Sequence, residues 1–363
     1  MIALGQFTTL LEEAPVAYHP GNTDFFTIPH PDPHPDIPNL RGILMDSKRH
    51  LIEGGGQIMQ HRSRSDTYRK GERVVKYRPL PANWDYLNDS QRRELLTYRE
   101  DLARTAMELG DRIHKNQTSS TEGNHRAESV VQGIIELQHY GFQQTLEWIP
   151  GCDLDKLIMN HQLDAKNTTE AIVGLLRLLV RLEALNIVHR DIKPANLVIN
   201  TEVPNKITVI DTELMTQAST ESSTGFCGTP GFLPPYIFGV NGKYKNTHPK
   251  RDYYSTAITI GHIMVDILGT STWHKIAQGH NVFDYEKYKD IPQNILAIRN
   301  FTKNKEVETA ILAHFKKLEQ SIGTSAYRLW QIMMHILREG ENVNMTHGII
   351  DEFAIATPNL SEI

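Results

Sequence analysis

Asp191, Lys193 and Asn196 fall on one short stretch, Val188-His189-Arg190-Asp191-Ile192-Lys193-Pro194-Ala195-Asn196-Leu197-Val198-Ile199. A carboxylate, an amine and a carboxamide are thereby placed on a single loop. Phosphoryl transfer asks for such a set: a carboxylate beside the attacking hydroxyl, a cation near the transferred phosphate and an oxygen ligand for magnesium. A second carboxylate, Asp211, ends the β-branched run Ile207-Thr208-Val209-Ile210.

The string resembles the catalytic loop of eukaryotic-type protein kinases, in which an H-R-D triplet is followed by a Lys two positions after the Asp and an Asn five positions after it. The resemblance implies that Asp191 orients the substrate hydroxyl and accepts its proton. It further implies that Lys193 neutralises developing phosphate charge and that Asn196 binds Mg²⁺, with Mn²⁺ as an alternative. In that family a Lys at this position points to Ser/Thr rather than Tyr specificity. Asp211 resembles the D-F-G aspartate, a second metal ligand, but the triplet reads Asp211-Thr212-Glu213, without the Phe and the Gly.

The same resemblance extends to nucleotide binding. Arg73-Val74-Val75-Lys76 resembles the V-A-I-K strand, with Lys76 on the α- and β-phosphates of ATP and Val74 against adenine. Gly54 and Gly56 stand where a glycine-rich hairpin would cover the phosphates, although Met59 replaces the third glycine. Lys76 should pair with a Glu on the next helix. Among Glu94, Glu100 and Glu108, Glu100 shares an apolar stripe with Leu96, Ala103 and Met107. Thr145 to Leu154 resembles the hinge: Leu146 would be the gatekeeper, the backbones of Glu147 and Ile149 would bond adenine, Asp153 would approach the ribose, and Val198 would form the floor beneath the base.

Gly228-Thr229-Pro230-Gly231-Phe232-Leu233-Pro234-Pro235 resembles the end of an activation segment, with Thr229 near Asp191 and Lys193. Tyr236 stands in place of the family's final Glu, so the usual buried ion pair cannot form. Arg251-Asp252-Tyr253 matches the start of the long central helix, where Asp252 would accept N–H bonds from the catalytic loop. Between Asp211 and Thr229, the hydroxyls of Thr216, Ser219, Thr220, Ser222, Ser223 and Thr224 are candidates for a phosphate that Arg190 would pair; a plain solvated loop is the competing reading.

Elements must hold these groups in place. Residues 1–42 include a Pro/His-rich arm, as in His30-Pro31-Asp32-Pro33-His34-Pro35. Strand signals and one helix, Ser90 to Leu109 with Gly110 as its stop, fill 43–150. From 151 to 363 the periodicity is mostly helical: Ala171 to Leu185, Tyr253 to Leu268, Val307 to Leu318 and Tyr327 to Leu337. The expected fold is α+β and bilobal, protein-kinase-like: a small β-rich N-lobe with one main helix, then a larger helical C-lobe.

Composition narrows the partners. The net charge of -5 over 363 residues gives no reason to expect nucleic acid. Cys152 and Cys227 are the whole cysteine content, too few for a disulfide scaffold, which suits a reducing cytoplasm. Met1 to Tyr18 lacks an export pattern, and the most apolar stretch, Tyr253 to Trp273, reads as a buried helix rather than a transmembrane segment. Lys48, Arg49, Arg62, Arg64, Arg69, Lys70, Arg73 and Arg78 form a basic cluster that could take an anionic ligand, an inositol phosphate or a lipid headgroup; a solvated strand face is the blander account. The expected activity is ATP-dependent transfer to Ser/Thr hydroxyls of a protein substrate. A pseudokinase scaffold and a small-molecule phosphotransferase are the alternatives. The divergence around an intact core is similar to that of bacterial kinases delivered into a host cell cytosol.

Overall fold

Val74 and Leu146 sit opposite each other on neighbouring antiparallel strands, and both are buried. A β-branched and a branched apolar side chain on one face of such a pair is what a half-buried sheet selects. The computed structural model that contains this pair describes residues 57–62, 65–70, 72–79, 86–117, 126–127, 136–138, 141–200, 206–220, 223–224, 227–237, 243–269 and 305–355. Internally packed, they form two compact units, one of residues 57–111 and 136–148, the other of 112–117, 126–127 and 149–355. The architecture is α+β.

In the smaller unit β1 (Gln57–Arg62), β2 (Ser65–Lys70) and β3 (Arg73–Pro79) are followed later by β5 (Glu136–Gln138) and β6 (Gly141–Glu147). They make one antiparallel sheet in the order β1-β2-β3-β6-β5. Helix α1 runs from Asp89 to Gln117, past the stop expected at Gly110. A glycine inside a helix costs about 1 kcal/mol. Burial of Ile113, on the same face as buried Ala106 and Leu109, contributes about 2 kcal/mol and outweighs it.

The larger unit is built on α3 (Ala165–Ala184), α4 (Arg251–Leu268) and α6 (Gln320–Glu339), with α2 (Leu154–Met159), α5 (Lys305–Phe315) and α7 (His347–Ile355) around them. Helix α6 packs on α4 and α3. The periodic positions of α3, Ile172, Leu175, Leu176, Leu179 and Leu182, are all buried. Asp164 caps α3 by accepting the Asn167 N–H at 2.7 Å, and Asp153 caps α2 through Lys156 N–H at 2.8 Å. Helix α7 was not anticipated from periodicity; its short apolar run is anchored from α6, where Arg328 Nε donates to the Phe353 carbonyl at 2.7 Å. No helix among the described residues is long and apolar enough to cross a membrane.

Short strands position the loops. β4 (Arg126–Ala127), β7 (Cys152–Asp153), β9 (Leu197–Ile199) and β10 (Ile207–Val209) form a four-stranded sheet in the order β4-β10-β9-β7. β8 (Ile187–Val188) pairs antiparallel with β11 (Thr216–Gln217), and β12 (Ser223–Thr224) with β13 (Lys243–Tyr244). The β9·β10 hairpin is therefore nested inside the β8·β11 pair, and residues 189–196 and 210–215 lie between the two ladders.

Candidate active site

Asp191 sits on the first of these two loops with four polar contacts around it. Lys193 Nζ donates to its Oδ2 at 2.7 Å, Asn196 Nδ2 to the same oxygen at 2.9 Å, and Thr229 Oγ1 to Oδ1 at 2.6 Å. Asn196 Nδ2 also reaches the Asp191 carbonyl at 2.9 Å, and Lys193 closes the ring by donating to Thr229 Oγ1 at 2.8 Å. Asp191 is 8% exposed. A nearly buried carboxylate is tolerated because it is fully hydrogen-bonded, one partner being cationic.

The loop backbone is fixed from α4. Asp252 Oδ2 accepts the His189 N–H at 2.6 Å and Oδ1 the Arg190 N–H at 3.0 Å, the bonds expected of it. Arg190 is left-handed, φ 73°, a conformation that costs about 1–2 kcal/mol without such support. His189 is fully buried and its Nδ1 accepts the Asp191 N–H at 3.3 Å. Burial pushes its pKa down, against the opposing pull of Asp252 and Asp191, so the ring is held neutral.

Asn196 and Asp211 lie side by side in the topology. The β9·β10 ladder ends with the Ile210 N–H donating to the Asn196 carbonyl at 2.9 Å, and Asp211 is the next residue. It is left-handed, φ 65°, which Asp tolerates better than most, and half-buried. Because Nδ2 of Asn196 is spent on Asp191, Oδ1 is the end left for other business, and among the described residues it makes no hydrogen bond. One amide oxygen and one carboxylate are hard donors that suit Mg²⁺, which takes one or two protein ligands and completes its shell with phosphate and water. An all-protein cage of three or more His, Cys, Asp or Glu side chains does not occur among the described residues.

The nucleotide-binding residues expected from sequence are divided between the two units. Lys76 is on β3 opposite Gln144 of β6, and Glu100 is within α1, but their side chains lie outside the described residues. Described positions of α1 bury Ala106 and Leu109 and expose Thr97, Arg104 and Glu108. Gly54 and Gly56 are outside the described residues altogether. The hairpin that adjoins β3 turns between Arg62 and Ser65, beyond those glycines. Val74 and Leu146 form the buried pair of the smaller unit, and Glu147 follows at the end of β6, half-buried. Ile149 is buried in the larger unit. There Asp153 opposes buried Val198 across β7·β9. Both Asp153 oxygens have structural partners: Oδ1 caps α2 and Oδ2 pairs with Lys156 Nζ at 2.7 Å. Gly151 makes the approach of these strands possible, since a Cβ there would lie 2.3 Å from the Ile199 carbonyl oxygen. Of the basic cluster, Arg73 is the one described side chain, and it is exposed.

Between Asp211 and Thr229, residues 212–219 are tied at several points. Thr212 is buried where the family has Phe, in a 3-10 turn from Thr212 to Leu214. Arg190 Nε donates to the Leu214 carbonyl at 2.5 Å, Asn186 and Ala218 exchange backbone and side-chain bonds, and the Ser219 N–H reaches the Thr247 carbonyl at 2.8 Å. Thr220 is exposed and Thr216 and Ser219 half-buried. Tyr236 puts its ring edge against His248, centroids 5.1 Å apart, and burial pushes its phenol pKa up.

Sequence reasoning missed Arg251. It is fully buried and donates to three main-chain carbonyls: Asn246 through Nη1, and Arg190 at 2.8 Å and Cys227 at 2.9 Å through Nη2. The available signal was an arginine directly before Asp252, two residues ahead of the stretch read as apolar.

With this geometry in hand, the comparisons with known proteins point one way. The family model described as "Protein kinase domain" matches residues 125–334, more than half of the chain. Segments of the chain are similar to the serine/threonine-protein kinase cds1 of Schizosaccharomyces pombe, 29% identical over 143 residues, 34% of this chain and 31% of that protein. Aurora kinase C of Mus musculus is 32% identical over 110 residues, 29% of this chain and 39% of that protein. Serine/threonine-protein kinase F of Synechocystis is 32% identical over 125 residues, 32% of this chain and 24% of that protein. The chain thus spans well under half the length of these curated relatives. It belongs to the protein kinase domain family.

Proposed function

We propose that the chain is an active kinase that transfers the γ-phosphoryl group of ATP to serine or threonine hydroxyls of a protein substrate. The observation that carries this reading is the closed ring of Asp191, Lys193 and Thr229, with Asn196 donating to Asp191 from beside it. Asp191 orients the incoming hydroxyl and takes its proton as the oxygen bonds to the γ-phosphorus and the bond to the β-phosphate oxygen breaks, releasing ADP. Lys193 offsets negative charge on the transferred group. Asn196 Oδ1 and the Asp211 carboxylate are the residues that would hold Mg²⁺, or Mn²⁺ in its place. When bound, the ion neutralises phosphate charge. For the smaller unit we assign nucleotide roles to Lys76, paired with Glu100, and to Gly54, Gly56, Val74, Leu146 and Glu147; Ile149, Asp153 and Val198 extend them. The serine/threonine-protein kinases among the relatives, and a Lys at position 193, support Ser/Thr over Tyr.

The test incubates the full chain with radiolabelled ATP, Mg²⁺ and a generic protein substrate, beside Asp191→Ala. Label on Ser or Thr that drops by at least about a thousandfold in the variant is the expected result. Binding of nucleotide without label transfer, in the same preparation, would assign the chain to the pseudokinase reading instead.

A further inference from the structure

Arg190, the residue that precedes Asp191, has its main chain gripped at both ends by consecutive residues of α4. Its carbonyl, that of Arg190, accepts from Arg251 Nη2 at 2.8 Å; the Arg190 N–H at the other end of the residue is taken by Asp252 at 3.0 Å. The same Nη2 donates at 2.9 Å to the Cys227 carbonyl, two residues before Thr229, whose hydroxyl meets Asp191 Oδ1 at 2.6 Å. One guanidinium nitrogen therefore spans the two chain segments that must keep Asp191 and Thr229 together. A third carbonyl, Asn246, is held by Nη1.

Gly228 completes the contact. Its φ is 107°, and a Cβ there would sit 2.6 Å from the Arg190 carbonyl oxygen and 2.7 Å from Arg251 Nη2. The absent side chain is what lets the guanidinium reach both carbonyls. Arg251 is fully buried and, among the described residues, has no carboxylate as a hydrogen-bond partner, its Nε making no hydrogen bond there. Tyr236 occupies the place where the family carries the acid of a buried ion pair that fastens this segment. A planar fork with several fixed donors can tie three carbonyls together, and a lysine ammonium cannot match that geometry.

We propose that Arg251, seated over Gly228, is a positioning residue of the phosphoryl-transfer site: it fastens the Cys227–Thr229 turn to the Arg190–Asp191 peptide and so sets the Asp191–Thr229 contact without an acidic partner. The proposal rests on the kinase reading for its catalytic consequence and on geometry alone for its structural one. Arg251→Lys and Gly228→Ala attack the same contact from opposite sides, so each is expected to lower kcat at least tenfold. KM for ATP and the stoichiometry of nucleotide binding should stay within twofold of the parent chain. The double variant should lose no more than the worse single one, because both remove one interaction. Amide exchange at residues 189–191 and 227–229 should quicken in both variants while that of α3 is unchanged.

The outcomes separate. If the parent chain transfers label and Arg251→Lys retains its full kcat, or loses kcat only in proportion to lost nucleotide-binding stoichiometry, the positioning role is overturned. If the parent chain transfers no label, the kinase reading fails, and the exchange pattern alone then decides whether the clamp exists. Unchanged exchange at both segments would overturn it.

Discussion

At the scale of single residues, Thr229 offers the cleanest test, because its hydroxyl donates to Asp191 Oδ1 and accepts from Lys193. A hydrogen bond to a charged group contributes about 1.5–3 kcal/mol, or roughly ten- to a hundredfold in rate if it acts only in the transition state. Thr229→Val should lose kcat by that range, and Thr229→Ser should recover most of it, as steady-state kinetics would record. The H-R-D string, the Lys and the Asn were legible because their types and spacing resemble the catalytic loop of a known family. The dual duty of Asp153 was not legible. A carboxylate three residues before a backbone N–H on a helix start is a cap by local geometry, and the reading for a ribose contact passed over that nearer partner. Arg251 escaped because a buried arginine that serves carbonyls leaves no complementary acid in the sequence to reveal it.

At the scale of elements, the strand pairs are as informative as the helices. Gly151, φ 138°, lets β7 close on β9, and Gly151→Ala should cost about 2 kcal/mol or more, seen as a Tm lowered by several degrees. Arg328 fastens α6 to α3 through Glu170 at 2.9 Å and to α7 through the Phe353 carbonyl. Its side chain is 9% exposed, so Arg328→Leu, which strands Glu170 and that carbonyl, should cost about 3 kcal/mol in denaturant melts. Periodicity exposed α3, α4 and α6 in the sequence since each buries a broad apolar face. It could not expose β8, β11, β12 and β13, whose two residues apiece are strands only because a distant partner supplies the ladder. The end of α1 was misplaced for a related reason: the local signal of Gly110 was weaker than the burial of Ile113 three residues later.

At the scale of the molecule, three histidines of the larger unit make stability depend on acid. His189, His248 and His262 all have pKa values pushed below the ordinary range, chiefly by burial, His262 down to about 4. The unfolded chain binds more protons than the folded one between about pH 4 and 6.5, so stability is complete above pH 6.5 and declines as the pH falls through that window. His262 alone accounts for about 3 kcal/mol of that decline. Denaturant midpoints at pH 7.5 and 5 should show it, and His262→Gln should flatten the slope. The family itself was written in the motifs, while the departures at Thr212, Glu213 and Tyr236 showed which family contacts are missing and not the bonds that tie residues 212–219. Each of those ties ends on a main-chain carbonyl, to which a reading of side-chain motifs is blind.

The β9·β10 hairpin nested inside the β8·β11 pair makes residues 189–196 and 210–215 the two sides of an eyelet, comparable to the internal loop of a folded nucleic-acid hairpin. Both acids, Asp191 and Asp211, hang in that eyelet, and its perimeter is closed by ladders whose side chains alternate in register. Swapping a residue on the rim alters one contact; adding one between Asp191 and Asn196 breaks the spacing that lets Lys193 and Asn196 both reach Asp191 Oδ2. A single alanine inserted between Ile192 and Lys193 should therefore silence label transfer, whereas the same insertion in the connection from Asn200 to Lys206, beyond the inner ladder, should leave it intact.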